Sequence, residues 1–277
     1  MTGQPVVVKF GGELLEQPDR LETVVTAMSH VAKQTPLVPL VIVHGGGKEI
    51  DAALKVAGIE KRQVDGLRIT DPATLEVVVG VLAGSVNTRL AAALGAAGLK
   101  AVGLTGADGS CGLSDVAAPH RSVDGRTIDL GCVGVPSRAA DVRVVRTLLD
   151  GGFVPVVASI GVTAEGRLLN VNADTFAGRL AERLGAKRLV VAGTTAGVLD
   201  DRGATVDVLD PSDIHGLIGR GTATAGMIAK LRACEEAVAN GVGDVIIVDG
   251  RDAQALEAAV LNRAPENATR IELGVRS

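Results

Sequence analysis

Residues 6–12 read VVVKFGG, and this short stretch decides the fold. Five nearly continuous apolar residues predict a β-strand that is covered on both faces, which is typical of a parallel sheet. Gly11 and Gly12 end the strand, and residues 20–33 then carry apolar side chains at helical spacing. The chain therefore opens with a strand, a glycine turn and a helix, the beginning of a β-α-β unit.

The same alternation continues along the chain. A second strand over residues 40–43 is followed by Gly45-Gly46-Gly47, and residues 108–135, rich in Gly, Ser, Asp and Pro, predict loops or hairpins. Further strands are predicted over residues 100–104, 153–157, 188–192 and 244–248, and helices over 49–57, 74–95, 139–149, 174–184 and 224–239. Strands separated by helices imply right-handed crossovers and a mostly parallel sheet.

Composition excludes several classes of function. The 277 residues are 47% hydrophobic but include only three Phe and neither Trp nor Tyr, so stacking platforms for single-stranded nucleic acid are missing. A net charge of -4 lacks the cationic excess of a nucleic-acid binder. The longest uncharged runs have 14 residues (34–47 and 151–164), and a membrane-spanning helix needs about 20. We therefore expect neither a nucleic-acid nor a membrane partner.

The cysteines and histidines indicate the compartment and the absence of a metal centre. Cys111, Cys132 and Cys234 are widely separated and odd in number, which argues against a disulfide framework. The four histidines lack metal-ligand spacing, so no metal site is predicted. No basic segment followed by an apolar stretch resembles a secretory signal, and we expect a cytoplasmic protein.

Two glycine clusters mark where the chemistry could occur. Ligands of open parallel sheets bind beyond the carboxyl ends of strands, and glycine lets backbone N–H groups approach an anion closely. Gly11-Gly12 and Gly45-Gly46-Gly47 could thus hold the two sides of a phosphoryl transfer. The alternative is that each is only a tight turn. Neither matches a P-loop or a GxGxxG fingerprint.

Several polar residues have unusual positions. Lys9 interrupts an apolar strand, where it could reach an anion site or extend out at a sheet edge. Arg68, in GLRIT, suits bidentate recognition of a carboxylate, although a surface ion pair would also explain it. Residues 170–174, NVNAD, contain more polar groups than helix capping requires. Lys230 lies on a predicted helix, where a solvated side chain is the ordinary interpretation.

Six segments in order resemble the amino-acid kinase family, and within it the acetylglutamate kinases of arginine biosynthesis. The segments are VVVKFGGELL (6–15), LVIVHGGGKEID (40–51), VDGLRITD (64–71), FVPVVASIGVTAEGRLLNVNAD (153–174), LGAKRLVVAGTTAGVLD (184–200) and AGMIAKL (225–231). The specific parts are GLRIT and LNVNAD, because other branches share the lysines and glycines but use different acceptors.

The resemblance implies an α/β fold with three αβα layers, a mostly parallel central sheet and two lobes that share this one continuous sheet. Residues 1–178 would form the acceptor-binding and dimerisation lobe, and residues 179–277 the ATP-binding lobe. The implied reaction transfers the γ-phosphoryl group of MgATP to the side-chain carboxylate of N-acetyl-L-glutamate, giving N-acetylglutamyl phosphate and ADP. MgATP is a substrate here, and no tightly bound prosthetic group is expected.

The resemblance also assigns roles to individual residues. Lys9 and Lys230 would stabilise the charge on the transferring group from opposite sides, and Asp174 would orient both. The acceptor would be bound by Gly46, Gly47, Arg68 and Asn170. ATP would be bound by Gly11, Gly12, Thr194, Gly197, Val198, Leu199, Thr222 and Thr224. The sequence departs from the family pattern at Thr194, where Asp is common, and at Ala225, where Gly or Asp is usual.

The family pattern further predicts a homodimer without strong arginine feedback. Two alternatives are compatible with the same motifs. One is a relative with the same chemistry on aminoadipate or on a carrier-protein-linked acceptor. The other is a catalytically silent ligand sensor, which would have no need for Lys9, Asp174 and Lys230 together.

Overall fold

A computed structural model describes residues 3–34, 37–122, 124–220, 225–263, 265 and 267–273. The opening strand is β1, Val6–Phe10, and all five of its residues are buried. The other strands are β2 (Leu40–His44), β3 (Gln63–Val64), β4 (Leu67–Arg68), β5 (Ala101–Thr105), β6 (Ser114–Val116), β7 (His120–Arg121), β8 (Thr127–Ile128), β9 (Val133–Pro136), β10 (Val154–Ala158), β11 (Ile160–Val162), β12 (Leu168–Val171), β13 (Arg188–Gly193), β14 (Val208–Leu209), β15 (Val245–Asp249) and β16 (Thr269–Ile271).

The described helices alternate with these strands. They are α1 (Pro18–Ala32), α2 (Gly47–Val56), α3 (Pro72–Val79), α4 (Asn87–Ala96), α5 (Arg143–Asp150), α6 (Ala173–Leu184), α7 (Pro211–Gly219), α8 (Ala225–Ala239) and α9 (Ala253–Val260). Every helix and main strand predicted from the sequence is present, with ends shifted by a few residues. The predicted start at residue 224 lies outside the described residues. The prediction missed α7 and α9, and the short strands β14 and β16.

One eight-stranded sheet organises the molecule. Its order is β14-β16-β15-β13-β1-β2-β10-β5, and only the β15–β16 pairing is antiparallel. Strands from before residue 160 lie on one side of β1, and strands from after residue 187 lie on the other. The predicted α/β fold with one continuous, mostly parallel sheet is confirmed. The division at 178/179 falls inside α6 and stays a prediction.

Helices cover both faces of this sheet, which completes three layers. Alternate residues of a strand face opposite sides, so Val7 packs with α6 and α8 whereas Val6 and Val8 pack with α1, α4 and α9. Each face thus has its own aliphatic core, and the site lies where both cores end, at the carboxyl edge of β1 and β2.

A second, smaller layer of strands stands beside this edge. It has the order β11-β12-β9-β6, and two hairpins, β3–β4 and β7–β8, flank it. The prediction of loops or hairpins over residues 108–135 is confirmed, but the β11–β12 hairpin was not predicted. Its strands bring residues 170–174 against the carboxyl ends of the large sheet.

The long apolar helix predicted over residues 74–95 is continuous from α3 to α4. Its middle, Gly80–Val86, is π-helical, a form that often accompanies functional positions. Among the described residues, Pro72–Ala96 is the one helix long and apolar enough to cross a membrane by length and composition. This helix packs on the sheet beside β5 and β10, and 39% of its most apolar window is buried within the chain.

Candidate active site

A cavity of about 500 Å³ opens at the carboxyl ends of β1 and β2. It is bordered by the starts of α2 and α6, by the β3–β4 hairpin and by α8. The structure brings together here these sequence-predicted residues: Lys9, Gly11, Gly12, Gly46, Gly47, Arg68, Asn170, Asp174, Thr194 and Lys230. Residues 221 positions apart in sequence therefore border one space, as an open α/β sheet predicts.

The two glycine turns touch each other at the base of the cavity. A Cβ atom at Gly12 would lie 2.6 Å from Gly46 Cα and 3.0 Å from Gly47 N, so only glycine fits at Gly12. The helix α2 begins at Gly47, and the N–H groups of a first helical turn have no partners within the helix. The contact therefore places donors suited to anions between the ends of β1 and β2. The Gly11 N–H is engaged with the Ala192 carbonyl oxygen at 3.3 Å.

Lys9 and Asp174 form a buried ion pair beside these turns. Lys9 Nζ lies 2.9 Å from Asp174 Oδ1, and Lys9 is only 7% exposed. Asp174 is held in the first turn of α6, where the side chain of Asn172 accepts hydrogen bonds from the N–H groups of Asp174 and Thr175. Lys9 does not extend out at a sheet edge. Its charge is compensated inside the cavity by a carboxylate from a different element.

Lys230 approaches the cavity from α8. Its Nζ lies 2.7 Å from the position that a Cβ would occupy on Gly193, at the end of β13. Burial lowers the pKa of Lys230, the charge of Lys9 lowers it further, and Asp174 partly opposes both. Two ammonium groups thus act on one carboxylate. A solvated side chain, the ordinary interpretation of a helical lysine, does not describe Lys230.

Arg68 is positioned by the β3–β4 hairpin, and its side chain is 9% exposed. Its Nη2 donates to Asp51 Oδ1 and, at 3.4 Å, to the Gly47 carbonyl oxygen. Its Nη1 is buried and has no hydrogen-bond partner among the described residues. Burial alone would raise the pKa of Asp51, but hydrogen bonds from Lys61 and Arg68 hold it below its ordinary value. The ion pair with Asp51 exists, but it is not a simple surface pair.

Asn170 reaches the cavity from β12. Its Nδ2 donates to Thr70 Oγ1 at 3.1 Å, and Thr70 is fully buried just beyond the β3–β4 hairpin. Ser159, also buried, lines the same wall and was not predicted from the sequence. No motif indicates Ser159, since its position depends on how β11 pairs with β12.

Glu13 is a further cavity residue that sequence reasoning missed. Its carboxylate lies over Gly11, 2.6 Å from where a Cβ on that glycine would be. Its charge also acts on Lys230, whose pKa it raises slightly. The available signal was its place directly after Gly12 in the first turn. The carboxylate adds negative charge on the same side as the two lysines.

The predicted ATP-binding residues divide into three groups. Thr194 lines the cavity, and so does its neighbour Thr195. Gly197, Val198 and Leu199 lie outside this lining; the Val198 N–H donates to Thr269 Oγ1 at 2.7 Å, and Leu199 is 43% exposed. Thr222 and Thr224 lie outside the described residues. The assignment of all these residues to ATP stays a prediction.

His44 lies behind the glycine turn rather than in the cavity. Burial lowers its pKa to about 4, so the imidazole is neutral at pH 7. Asn87 Nδ2 donates to its Nε2 at 2.9 Å and to the Val156 carbonyl oxygen at 2.8 Å. The proton of His44 must then sit on Nδ1, which faces the Gly45 carbonyl oxygen at 3.2 Å. His44 thereby holds the first peptide of the second glycine turn.

The other titratable groups bear on two further kinds of chemistry, metal binding and the reactivity of two of the thiols, Cys111 and Cys234. In the described part of the chain, no group of three His, Cys, Asp or Glu residues could hold a metal ion. Burial raises the pKa of Cys111 and of Cys234 to about 12, so both thiols are protonated and weakly nucleophilic. Paired lysines and glycine N–H groups suit a polyphosphate that brings its own Mg²⁺.

Comparisons with known proteins agree with this arrangement. The model of the amino acid kinase family matches residues 4–249. The acetylglutamate kinase of Acidiphilium cryptum is 43% identical over 253 residues, which cover 90% of this chain and 84% of the relative. That of Granulibacter bethesdensis is 41% identical over 257 residues, covering 91% and 85%.

A solved structure extends the likeness to three dimensions. N-acetylglutamate synthase from Neisseria gonorrhoeae, complexed with coenzyme A and N-acetyl-glutamate, superposes with a TM-score of 0.81. It is 24% identical, covers 98% of this chain and 60% of that chain, and so shares the fold. With a family match over most of its length and relatives about 40% identical across nine-tenths of it, the chain belongs to the amino acid kinase family.

Proposed function

We propose that the chain is an acetylglutamate kinase that acts in arginine biosynthesis in the cytoplasm. It transfers the γ-phosphoryl group of MgATP to the side-chain carboxylate of N-acetyl-L-glutamate. A carboxylate oxygen forms the new bond to the γ-phosphorus, the bond to the β,γ-bridging oxygen breaks, and ADP leaves with that electron pair. The observation that carries the proposal is the Lys9–Asp174 pair at 2.9 Å, with Lys230 beside it in one cavity.

The lysines supply what phosphoryl transfer most requires, namely compensation of negative charge. In this proposal Lys9 and Lys230 contact the transferring group and Asp174 keeps both ammonium groups in place. The carboxylate acceptor is already ionised at pH 7, so no general base is needed. A ligand sensor would gain little from two partly desolvated lysines, since binding alone does not need charge that acts at the transition state.

The acceptor is bound by the side of the cavity formed by the hairpin and α2. Arg68 donates to its α-carboxylate, Asn170 contacts its remaining polar groups, and the N–H groups of Gly46 and Gly47 face its reacting end. The unpartnered Nη1 of Arg68 supports this assignment, because a buried guanidinium donor is costly unless a ligand satisfies it.

The nucleotide is bound on the side of Thr194. Gly11 and Gly12 line the phosphate path, and Gly197, Val198, Leu199, Thr222 and Thr224 contact the rest of ATP by resemblance to the family. Magnesium arrives with the nucleotide and neutralises phosphate charge when bound. No prosthetic group is assigned.

A homodimer is part of the proposal. The helix Pro72–Ala96 is strongly apolar, yet most of its most apolar window is not buried within the chain. It packs next to β5, the edge strand of the large sheet. An exposed apolar helix beside an exposed sheet edge favours a second copy of the chain that covers both. Light scattering should give twice the 28.1 kDa chain mass. A hexamer, or inhibition by micromolar arginine, would contradict the expected dimer without strong feedback.

A hydroxylamine trap tests the activity. The protein is incubated with MgATP and N-acetyl-L-glutamate, and any acyl phosphate is intercepted as the coloured hydroxamate. Glutamate, aspartate and aminoadipate run in parallel, and the Lys9→Ala variant is the control for contaminating kinases. Hydroxamate that requires the acetylated acid and is lost in Lys9→Ala supports the proposal.

Two other outcomes would overturn it in different ways. Product with aminoadipate instead would keep the chemistry and change the acceptor. No product with any acid, despite ATP binding, would favour a sensor or a carrier-linked acceptor.

A further inference from the structure

The two ends of the Arg68 guanidinium have different surroundings. Nη2 is engaged by Asp51 Oδ1 and by the Gly47 carbonyl oxygen, whereas Nη1 has no partner among the described residues. The side chain is 9% exposed, so water does not substitute freely for a missing partner. Arg68 therefore lines the cavity with Nη2 hydrogen-bonded and with Nη1 lacking a partner among the described residues.

Asp51 belongs to the helix that starts at the second glycine turn. It lies four residues after Gly47, in the next turn of α2, and its second oxygen accepts from Lys61 Nζ at 2.7 Å. Lys61 lies two residues before β3, and Arg68 is the last residue of β4. Asp51 thus ties both ends of the hairpin to the helix whose start contributes Gly46 and Gly47.

The charges of this cluster leave Arg68 effective as a cation. Asp51 is ionised at neutral pH, because Lys61 and Arg68 hold its pKa below the ordinary value despite burial. Lys61 compensates the negative charge of Asp51, so the cluster of Asp51, Lys61 and Arg68 carries a net charge of +1. The carboxylate can orient the guanidinium without cancelling its attraction for an anion.

We infer that Asp51 is a positioning residue for the acceptor: by occupying Nη2 of Arg68, it leaves Nη1 as the donor to the acceptor carboxylate. This role of Asp51 rests on the proposed function and adds to it the residue that orients Arg68. Asp51 itself does not contact the substrate. Its effect should therefore be seen in acceptor binding and not in the transfer step.

The test compares four variants with the wild type. Asp51→Ala removes both contacts, and Asp51→Asn keeps an oxygen that can accept from Nη2. Arg68→Ala shows the largest loss of acceptor binding that this arginine can cause, and Asp65→Asn is the matched control. Asp65 is a carboxylate at the turn of the same hairpin, and it pairs with His120 at 2.8 Å. The readouts are kcat, KM for each substrate, and the rise in Tm that N-acetyl-L-glutamate produces.

Asp51→Ala should raise KM for the acceptor about tenfold or more, and kcat and KM for ATP should change less than about threefold. Asp51→Asn should recover most of this loss. Asp65→Asn should change KM less than about threefold, because partly exposed pairs contribute little. At an N-acetyl-L-glutamate concentration near the wild-type KM, the Tm rise should be much smaller in Asp51→Ala and unchanged in the control.

Three results would overturn the inference. In an active wild type, an unchanged or lower acceptor KM in Asp51→Ala would show that Asp51 only weakens the charge of Arg68. If Asp51→Ala does not fold, Asp51→Ser, whose shorter side chain also lacks the carboxylate, is measured in its place. An equal rise in Asp65→Asn would attribute the effect to the hairpin as a whole. If the wild type neither binds nor phosphorylates N-acetyl-L-glutamate, the proposed function fails and the inference fails with it.

Discussion

The neighbouring strands β1 and β2 both end at glycine turns. The polar residue near the end of β1 is charged, whereas the polar residue near the end of β2 is neutral. Lys9 on β1 is buried and paired with Asp174. His44 on β2 is fully buried, neutral at pH 7, and bonded to Asn87 and to its own turn. The two residues are about equally hidden from water. Only Lys9 lines the cavity.

Strand register explains the difference. Lys9 pairs with Val43 and Phe10 pairs with His44, so Lys9 and His44 face opposite sides of the sheet. The Lys9 side meets the start of α6 and its carboxylate, whereas the His44 side meets α4 and the amide of Asn87. One residue of offset thus separates a charge available for chemistry from a neutral group that only supports the backbone.

Removing the partner of Lys9 should have the largest effect. Asp174→Ala leaves Lys9 buried without compensation and close to the charge of Lys230, so the ammonium groups lose their orientation. We expect kcat to fall about 1000-fold, with acceptor KM changed much less. Steady-state kinetics measure both. A kcat within tenfold of the wild type would show that the pair is structural, and Asp174→Asn, which keeps the shape, checks for a folding defect.

Lys230 extends the comparison to pH. Its pKa lies below the ordinary 10.5, so raising the pH neutralises it earlier than an exposed lysine. The kcat/KM profile of the wild type should therefore fall on the alkaline side below pH 10.5, and the fall should move to higher pH in Lys230→Arg. Lys230→Ala should lower kcat about 100-fold. An unchanged alkaline fall in Lys230→Arg would assign it to another group.

His44 should affect the free energy of unfolding but not kcat at pH 7. Its pKa is about 4 in the folded chain and 6.5 when unfolded, so between these values the unfolded state binds more protons. Above pH 6.5 His44 is neutral in both states, so it does not make the free energy of unfolding depend on pH. As the pH falls from 6.5 to about 4, the unfolded chain binds a proton at His44 that the folded chain does not, and the free energy of unfolding decreases. The loss is about 3 kcal/mol over this window.

Urea unfolding at pH 7 and pH 4.5 measures this loss in the wild type and in His44→Asn. The variant should lose less stability between the two pH values, although it is less stable at pH 7. An equal loss in both proteins would mean that His44 is not the group that titrates.

Much of the fold follows from local pattern. The apolar run Val6–Phe10 and the glycines after it predicted a buried parallel strand, because such runs need cover on both faces. The short strands β14 and β16 and the β11–β12 hairpin escaped prediction, since two to four residues carry too little periodicity. Helix α7 was missed even though Asp210 caps it, because its apolar stripe is short.

The candidate site was predictable in its residues but not in its contacts. Motif order and family resemblance identified Lys9, Asp174 and Lys230 and implied that Asp174 orients both lysines. The 2.9 Å contact between Lys9 and Asp174 comes from the structure alone. Ser159 and Asp51 had no signal of their own, and the signal for Glu13 was only its position directly after Gly12. Their importance comes from pairing between elements that are far apart along the chain.

The sequence by itself determined the alternation of strands and helices, the two glycine turns and the types of residue available for chemistry. These depend on neighbours within a few positions, through periodicity, glycine geometry and charge. Only the tertiary structure decided that Lys9 is paired, that His44 is neutral and that one end of Arg68 is unsatisfied. Those states depend on burial and on partners from distant segments, because the electrostatic cost of a charge is set by what surrounds it after folding.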